Sequence, residues 1–154
     1  MEALLKKLNF KPGLVAYLGN VPEEWSALPD FFRAEGMVFI EPPLDKPLDF
    51  ALLFVTAQPQ IETAMAWLPQ QMPGDAQLWF AYPKGTAKKY RCDFNRDTGW
   101  EALGQAGFEG VRQVAIDQEW SALRFRRVAF IQKMTRQKSR ALTEAGKTKT
   151  QPDN

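Results

Sequence analysis

The chain has 154 residues, of which 45% are apolar and 12% aromatic, so one domain can bury a sizeable core. It contains one cysteine and no histidine, which excludes internal disulfides, the usual zinc sites and Ser-His-Asp or Cys-His catalysis. The formal charge of +2 is uneven, because residues 131–154 hold six Lys or Arg against two Asp or Glu. Basic behaviour is therefore expected from that C-terminal segment and from local loops.

Apolar runs and turn residues in the first half of the chain predict alternating helices and strands. Leu4, Leu5 and Leu8 recur at helical spacing, whereas Leu14 to Leu18 is a continuous apolar run, typical of a strand covered on both faces. Pro69 is expected to end or kink the helix that precedes it. We predict helices over residues 2–8, 22–28 and 58–71, and strands over residues 14–18, 37–40 and 48–55.

The second half of the chain centres on an apolar strand, residues 77–82, which meets Pro83 and opens into a basic loop. Thr98 and Glu101 have capping-box spacing at the start of a helix predicted to close at Gly107. Residues 111–116 and 120–131 then predict an antiparallel hairpin, irregular around residues 126–128.

The apolar pattern is lost after residue 131, where Thr, Gln, Lys and Gly predominate. We therefore predict one domain over residues 1–131 and a basic, disordered extension over residues 132–154. No apolar run approaches the ~20 residues of a membrane helix. Charges interrupt the apolar residues of the N-terminal segment, unlike a secretory signal peptide, so we expect a cytoplasmic protein without a membrane partner.

The element order predicts an α/β, three-layer Rossmann-like fold, with a mostly parallel sheet that ends in an antiparallel hairpin. A helix over residues 98–107, followed by the pair 111–117 and 121–131, resembles the last third of the Rossmann-like methyltransferase fold. The resemblance implies that strands 14–18 and 49–55 lie at the centre of the sheet. Strand 37–40 would lie on one side of them, and strand 77–82 with the hairpin on the other.

Four segments carry a second resemblance, to a bacterial family catalogued only as a domain of unknown function. They are NFKPGLVAYLGNVP near the start, LWFAYPKG at 78–85, CDFNRDTGW at 92–100 and AIDQEWSALRF at 115–125. The resemblance covers nearly the whole chain up to about residue 130. It implies a small cytoplasmic Rossmann-like domain and supplies no activity.

Ligands of open parallel sheets bind beyond the carboxyl ends of the strands. A methyltransferase-like cofactor site there needs a glycine-rich turn after the first strand and an acid after the second, to accept ribose hydroxyls. Gly19 and Asn20 supply a turn without further glycines, because Val21 and Pro22 follow, and Glu41 lies 22 residues after Gly19. The alternative for Glu41 is a solvated acid before a Pro-Pro turn.

The basic loop after Pro83 is the candidate anion site. It holds several cations around one glycine and precedes a predicted helix, but lacks Walker spacing. Asp117, in the hairpin turn, reaches the same edge if strand 111–117 is parallel to the other strands and the opposite edge if it is not; the alternative is a purely structural role in the turn. The alternative for the loop is a solvated segment whose charges pair with Asp93 and Asp97. The predicted anion-binding residues are Lys84, Gly85, Lys88, Arg96 and Asp117.

Arg124 and Arg126 alternate with apolar residues and are expected to project together, with Arg112 across the hairpin. This strip and the basic extension could meet nucleic acid or an acidic partner; paired acids or plain solvation is the alternative. No catalytic residue, metal ligand or required cofactor can be named. The sequence favours a cytoplasmic module, non-catalytic or weakly binding an anion, nucleotide or protein partner. The alternatives are a reduced S-adenosylmethionine-dependent methyltransferase-like enzyme and a nucleic-acid accessory protein.

Overall fold

The computed structural model describes residues 2–42 and 45–131. The predicted extension 132–154 lies outside the described residues, so the domain boundary at residue 131 stays a prediction. The strands are β1 (Val15–Gly19), β2 (Met37–Phe39), β3 (Phe50–Phe54), β4 (Gln77–Pro83), β5 (Phe108–Ala115) and β6 (Trp120–Arg127). The helices are α1 (Glu2–Lys7), α2 (Leu28–Arg33), α3 (Gln58–Met65), α4 (Leu68–Gln71) and α5 (Glu101–Gln105), with 3-10 turns at Glu23–Trp25 and Val128–Phe130.

The six strands form one sheet in the order β2-β1-β3-β4-β6-β5. Strands β1 to β4 run parallel to one another, whereas β6 runs antiparallel to both β4 and β5. This confirms the predicted α/β class, the central position of β1 and β3, and the terminal hairpin. It follows that β5 points in the same direction as β4.

Helices cover the sheet on both faces. On one face, α1 and α2 pack over Phe50 and Trp79, and on the other, α3, α4 and α5 pack over Leu53 and Phe80. All five residues of β3 are buried, as expected for a central strand between two helical layers. Among the described helices, none is long and apolar enough to cross a membrane.

Two predicted helices differ from those observed. The predicted helix 58–71 is divided into α3 and α4, because Trp67 leaves the helical conformation and packs its ring edge-on against Tyr17, with 5.1 Å between centroids. The interruption agrees with the prediction for Pro69, which has no N–H to donate to the Met65 carbonyl and lies in the first turn of α4. The predicted helix 22–28 is a single 3-10 turn followed by α2, which begins at Leu28.

Local hydrogen bonds shift two boundaries in the last third of the chain. Thr98 does not cap α5: its N–H and hydroxyl donate to Asn95 Oδ1 at 3.0 and 3.2 Å, and the helix begins at Glu101. The hairpin irregularity is a register shift between Gly110 and Arg112 in β5, instead of a bulge near residues 126–128. The shift bends the edge strand of the sheet.

Candidate functional site

The carboxyl ends of the parallel strands meet along one edge of the sheet, which we call the carboxyl edge. In the register, Gly19 lies beside Leu53, and Phe54 lies beside Ala81. Residue 19 ends β1, and residues 41, 56 and 84 follow β2, β3 and β4, so the structure brings all four to this edge as predicted. Asp117 follows β5 and reaches the same edge.

The end of β1 is closed by an aromatic ring of the chain itself. A Cβ atom at Gly19 would lie 2.9 Å from Tyr17 Cε2, 3.1 Å from the Tyr17 hydroxyl and 3.0 Å from Leu53 Cγ. Glycine is therefore required here because the Tyr17 ring lies against the backbone. Asn20 then turns the chain with a φ of 55°, a left-handed conformation that asparagine tolerates.

Glu41 and the Tyr17 hydroxyl are electrostatic neighbours at the ends of β2 and β1. Burial raises the pKa of Tyr17, and the negative charge of Glu41 raises it further. The Glu41 side chain is exposed to solvent, whereas Tyr17 is buried. An exposed carboxylate thus acts electrostatically on a buried phenol whose ring lies against Gly19.

The end of β3 is closed by side chains that satisfy the N-terminal amides of α3. Gln60 Oε1 accepts hydrogen bonds from the Thr56 and Ala57 N–H groups at 2.7 and 3.2 Å, and Asp93 Oδ1 accepts one from the Gln58 N–H at 3.0 Å. A helix N-terminus binds an external anion through N–H groups that are free. Here the chain already supplies their acceptors.

Two acidic residues of the same chain, Glu119 and Glu24, contact the basic loop after β4. Glu119 Oε2 accepts hydrogen bonds from the Lys88 and Lys89 N–H groups at 2.9 and 3.3 Å. Glu24 pairs with Lys89 Nζ at 3.2 Å and accepts the Tyr90 hydroxyl. Of the two acids predicted to pair with the loop, Asp93 caps α3 instead, whereas Glu119 and Glu24 contact Lys88 and Lys89.

The remaining loop residues lie around these contacts. Lys84 is half-buried, and its N–H donates to the Glu119 carbonyl at 2.8 Å; Gly85 and Lys88 are exposed. Arg96 lies near Tyr82, whose pKa is raised by burial while the Arg96 charge opposes the rise. Among the residues that the structure describes, neither Lys84 nor Arg96 has an ion pair.

Asp117 organises the turn of the hairpin. Its Oδ1 accepts hydrogen bonds from the Glu119 and Trp120 N–H groups, both at 2.8 Å, and its Oδ2 accepts one from Trp25 Nε1 at 3.0 Å. The carboxylate therefore ties the hairpin to the segment after β1. Asp117 lies at the predicted edge, but all three contacts are structural.

Tyr17, Trp25 and Glu119 shape this edge and were absent from the predicted site. A signal existed for Tyr17, because residues two apart in a strand share a face, which places it beside Gly19. Trp25 and Asp117 are 92 positions apart, and nothing in the sequence pairs them. Within residues 2–42 and 45–131, no cluster of three His, Cys, Asp or Glu residues could hold a metal ion.

Comparison with solved structures identifies the fold. A SAM dependent methyltransferase from Aquifex aeolicus is 15% identical, with a TM-score of 0.54 over 81% of this chain and 88% of that one. The N-methyltransferase NodS from Bradyrhizobium japonicum WM9 is 11% identical, with a TM-score of 0.52 over 82% and 93%. The magnesium protoporphyrin IX methyltransferase ChlM from Synechocystis PCC 6803 is 11% identical, with a TM-score of 0.52 over 81% and 79%.

No protein-family model matches the sequence, and no curated protein is similar to it in sequence. At these identities the likeness to solved structures concerns the fold. The chain therefore has a methyltransferase-like Rossmann fold, with a mostly parallel six-stranded sheet and a terminal antiparallel hairpin.

Proposed function

We propose that the protein is a reduced S-adenosylmethionine-dependent methyltransferase-like protein, which binds the cofactor at the β1–β2 half of the carboxyl edge. The shared fold supports this function over a module without a ligand. The observation that carries it is Glu41, an exposed carboxylate that follows β2, next to strand β1, which ends at Gly19. A carboxylate in that position can accept both ribose hydroxyls.

The β1–β2 half of the carboxyl edge suits the ribose of S-adenosylmethionine better than its amino-acid portion. At the ribose end, Glu41 is exposed and available as an acceptor. At the amino-acid end, the Tyr17 ring lies against Gly19, so a ligand can contact the Gly19 backbone only after that ring rotates away. The bound cofactor would supply an electrophilic methyl group. The residues of this chain would orient its ribose through Glu41 and exclude water through Tyr17 and Trp67.

Calorimetric titration of S-adenosylmethionine into the full chain tests the proposal. A charge-assisted hydrogen bond contributes ~1.5–3 kcal/mol, and because Glu41 is exposed its two bonds to the ribose should together contribute about that much, so Glu41→Ala is expected to weaken the affinity by roughly 10- to 100-fold. Glu35→Ala is the matched control, since Glu35 is an exposed acid that precedes β2 at the opposite edge. No heat of binding in the wild type, or equal losses in the two variants, would contradict the proposal.

A second candidate function is a non-catalytic module that binds a small anion through Lys84, Gly85, Lys88 and Arg96. The observation that favours it is the absence of an ion pair on Lys84 and Arg96 within the described part of the chain. Backbone N–H groups contribute little, because Glu119 already occupies them. This function predicts that phosphate raises the melting temperature of the wild type and not of Lys84→Ala. A shift that persists in Lys84→Ala would exclude it.

We also propose that the chain belongs to the bacterial family of unknown function that its sequence segments resemble, and that it acts in the cytoplasm, alone or with a protein partner. The membership is supported by the resemblance of the four segments named in the sequence analysis, of which 78–85 and 115–125 contain residues of the paired strands β4 and β6. Fractionation of bacterial cells that produce the full chain tests the location. Recovery in the membrane or periplasmic fraction would contradict it.

A further inference from the structure

Strand β2 lies at one edge of the sheet. Within residues 2–42 and 45–131 it pairs only with β1, so its other side meets no further strand. The Met37 N–H donates to the Leu14 carbonyl at 3.1 Å, and the backbone groups of successive strand residues point to alternate sides. The N–H and carbonyl groups of Val38 therefore point away from β1, where an additional strand can pair with them.

Large apolar side chains are exposed around this edge. Of the five that are exposed in the described part of the chain, three lie on or beside β2: Phe31 at 43%, Met37 at 44% and Ile40 at 50%. Met37 lies opposite Val15, which packs on the α3 face, whereas Phe31 belongs to α2, which packs against β2 from the other face. An added strand would thus find apolar contacts on both faces of the sheet.

The opposite edge strand, β5, is less suited to such pairing. A register shift between Gly110 and Arg112 interrupts its ladder, and the side chains of Arg112 and Gln113 are exposed. Bulges and charged side chains are the features by which proteins disfavour pairing of a sheet edge with another chain. Strand β2 contains neither, so it is the edge that favours an added strand.

Acidic residues flank β2 at both ends. Glu35 lies two residues before the strand and Glu41 two residues after it, and both side chains are exposed. Neither has an ion pair among the residues that the structure describes, whereas Arg33 pairs with Asp30 at 3.1 Å. Residues 45–46 add one charge of each sign. The edge therefore has an apolar centre and a negative charge at each end.

These acids disfavour a second copy of the chain as the occupant. A two-fold pairing of β2 with the same strand of another protomer, centred on Val38, would place Glu35 opposite Glu41 at both ends. Like charges directly opposite each other destabilise an antiparallel pair. Basic residues in those two positions would instead form a favourable cross-strand pair with each acid.

We propose that the free edge of β2 binds an extended segment of another protein, with an apolar centre and Lys or Arg about three residues to either side. The backbone of the segment pairs with Val38 and adds a strand to the six-stranded sheet. Its apolar residues contact Met37 and Ile40, and its basic residues lie opposite the flanking acids. The proposal does not require a cofactor: when Glu41 is occupied by a ribose, Glu35 still selects a basic flank.

Fluorescence anisotropy with the labelled synthetic peptide Lys-Thr-Val-Ile-Val-Thr-Lys tests the proposal on the full chain. We expect saturable binding, roughly tenfold tighter than that of the same peptide with Glu in place of both Lys. Met37→Ser and Ile40→Ser together should weaken binding by roughly tenfold. Val111→Ser and Phe130→Ser together are the matched control, because these are the two other large apolar side chains exposed in the described residues.

Two further variants separate charge from backbone pairing. Glu35→Lys should weaken binding of the Lys peptide and strengthen binding of the Glu peptide, whereas Glu62→Lys, at an exposed position on α3, should change neither preference. Val38→Pro should abolish binding, because proline removes the outward N–H and leaves the bond from Met37 to β1 in place. Circular dichroism checks that each variant is folded.

Three results would overturn the proposal. The first is the absence of saturable binding, or equal effects of the two pairs of serine substitutions. The second is a dimer in sedimentation equilibrium that the Met37→Ser and Ile40→Ser pair dissociates, which would indicate a second copy at this edge. The third is displacement of the labelled peptide by an equal concentration of a synthetic peptide of residues 132–154, which would indicate the chain's own C-terminal segment.

Discussion

The two halves of the carboxyl edge use their polar groups differently. In the β4–β5–β6 half, Asp117 and Glu119 accept hydrogen bonds from the indole of Trp25 and from backbone amides, and Glu24 holds the side chain of Lys89. In the β1–β2 half, Glu41 is exposed and its charge reaches the Tyr17 hydroxyl. One half is tied together by its acids, whereas the other keeps an acid at the surface.

Strand direction alone therefore does not determine where a ligand binds. Both halves lie at the carboxyl ends of strands, where loops converge. An external ligand needs donors or acceptors that the fold has not already used, and the acids of the β4–β5–β6 half are used. The β4–β5–β6 half is therefore less suited to bind a cofactor than the β1–β2 half, although its basic loop is the clearer signal in the sequence.

The largest effect is expected for Asp117→Ala. The substitution removes the acceptor of three hydrogen bonds, from Trp25 Nε1 and from the Glu119 and Trp120 N–H groups. Bonds to a charged acceptor contribute ~1.5–3 kcal/mol each, so with partial exposure the free energy of unfolding should fall by about 3 kcal/mol. Urea unfolding measures this, with Glu41→Ala as the control, expected to change it by less than about 0.5 kcal/mol. Equal losses of unfolding free energy in Asp117→Ala and Glu41→Ala would contradict the claim that acids stabilise only the β4–β5–β6 half of the carboxyl edge.

A smaller effect is expected for Gly19→Ala. The added Cβ would lie 2.9 Å from the Tyr17 ring and 3.0 Å from Leu53, and overpacking of this kind costs about 1–3 kcal/mol. In a Tyr17→Ala background the clash with the ring is absent, so the cost of Gly19→Ala should fall by about half. Additive effects in the double-mutant cycle would show that Tyr17 does not close the end of β1.

Glu119→Ala is expected to cost about 1 kcal/mol, since the Lys88 and Lys89 N–H groups lie in an exposed loop and can bond to water instead. The same change should open the loop to phosphate, so that phosphate raises the melting temperature of the variant more than that of the wild type. Glu62→Ala, at an exposed position on α3, is the control. An unchanged phosphate response would mean that Glu119 does not occupy an anion position.

The smallest effect concerns Glu24. The hydrogen bond from Tyr90 lowers the pKa of Glu24, with a further contribution from Lys89. A carboxyl whose pKa is lower in the folded state stabilises it above the ordinary pKa of about 4.3, and this contribution is lost as the pH falls through the folded-state value. The stability difference between wild type and Glu24→Gln should therefore be constant from about pH 7 to pH 5 and vanish in stronger acid. A difference that grows on acidification would contradict this sign.

The sequence predicted the sheet better than the site, for a physical reason. Strands β1, β3 and β4 are continuous apolar runs, and burial on both faces leaves that pattern directly in the sequence. The strand order was implied by the resemblance to the methyltransferase fold and was confirmed. The helix is interrupted before Pro69, as predicted, whereas the helix start predicted at Thr98 was wrong, because Thr98 donates to the Asn95 side chain instead.

Site residues reach the predicted edge because strand direction places them there, but their contacts depend on long-range pairs. The link from Trp25 to Asp117 joins residues 92 positions apart, and the bond from the Lys88 N–H to Glu119 joins residues 31 apart. No local pattern encodes such pairs. The rotation of the Tyr17 ring toward Gly19 likewise depends on packing against Trp67 and Leu53.

Amide chemical-shift mapping with S-adenosylhomocysteine tests the central claim most directly, because it reports which half of the carboxyl edge meets the ligand. We predict perturbations at Gly19, Asn20 and Glu41, with the amides of Lys88 and Lys89 unchanged. Perturbations confined to the segment 84–96, or none at saturating ligand, would contradict the claim that the β1–β2 half binds the cofactor.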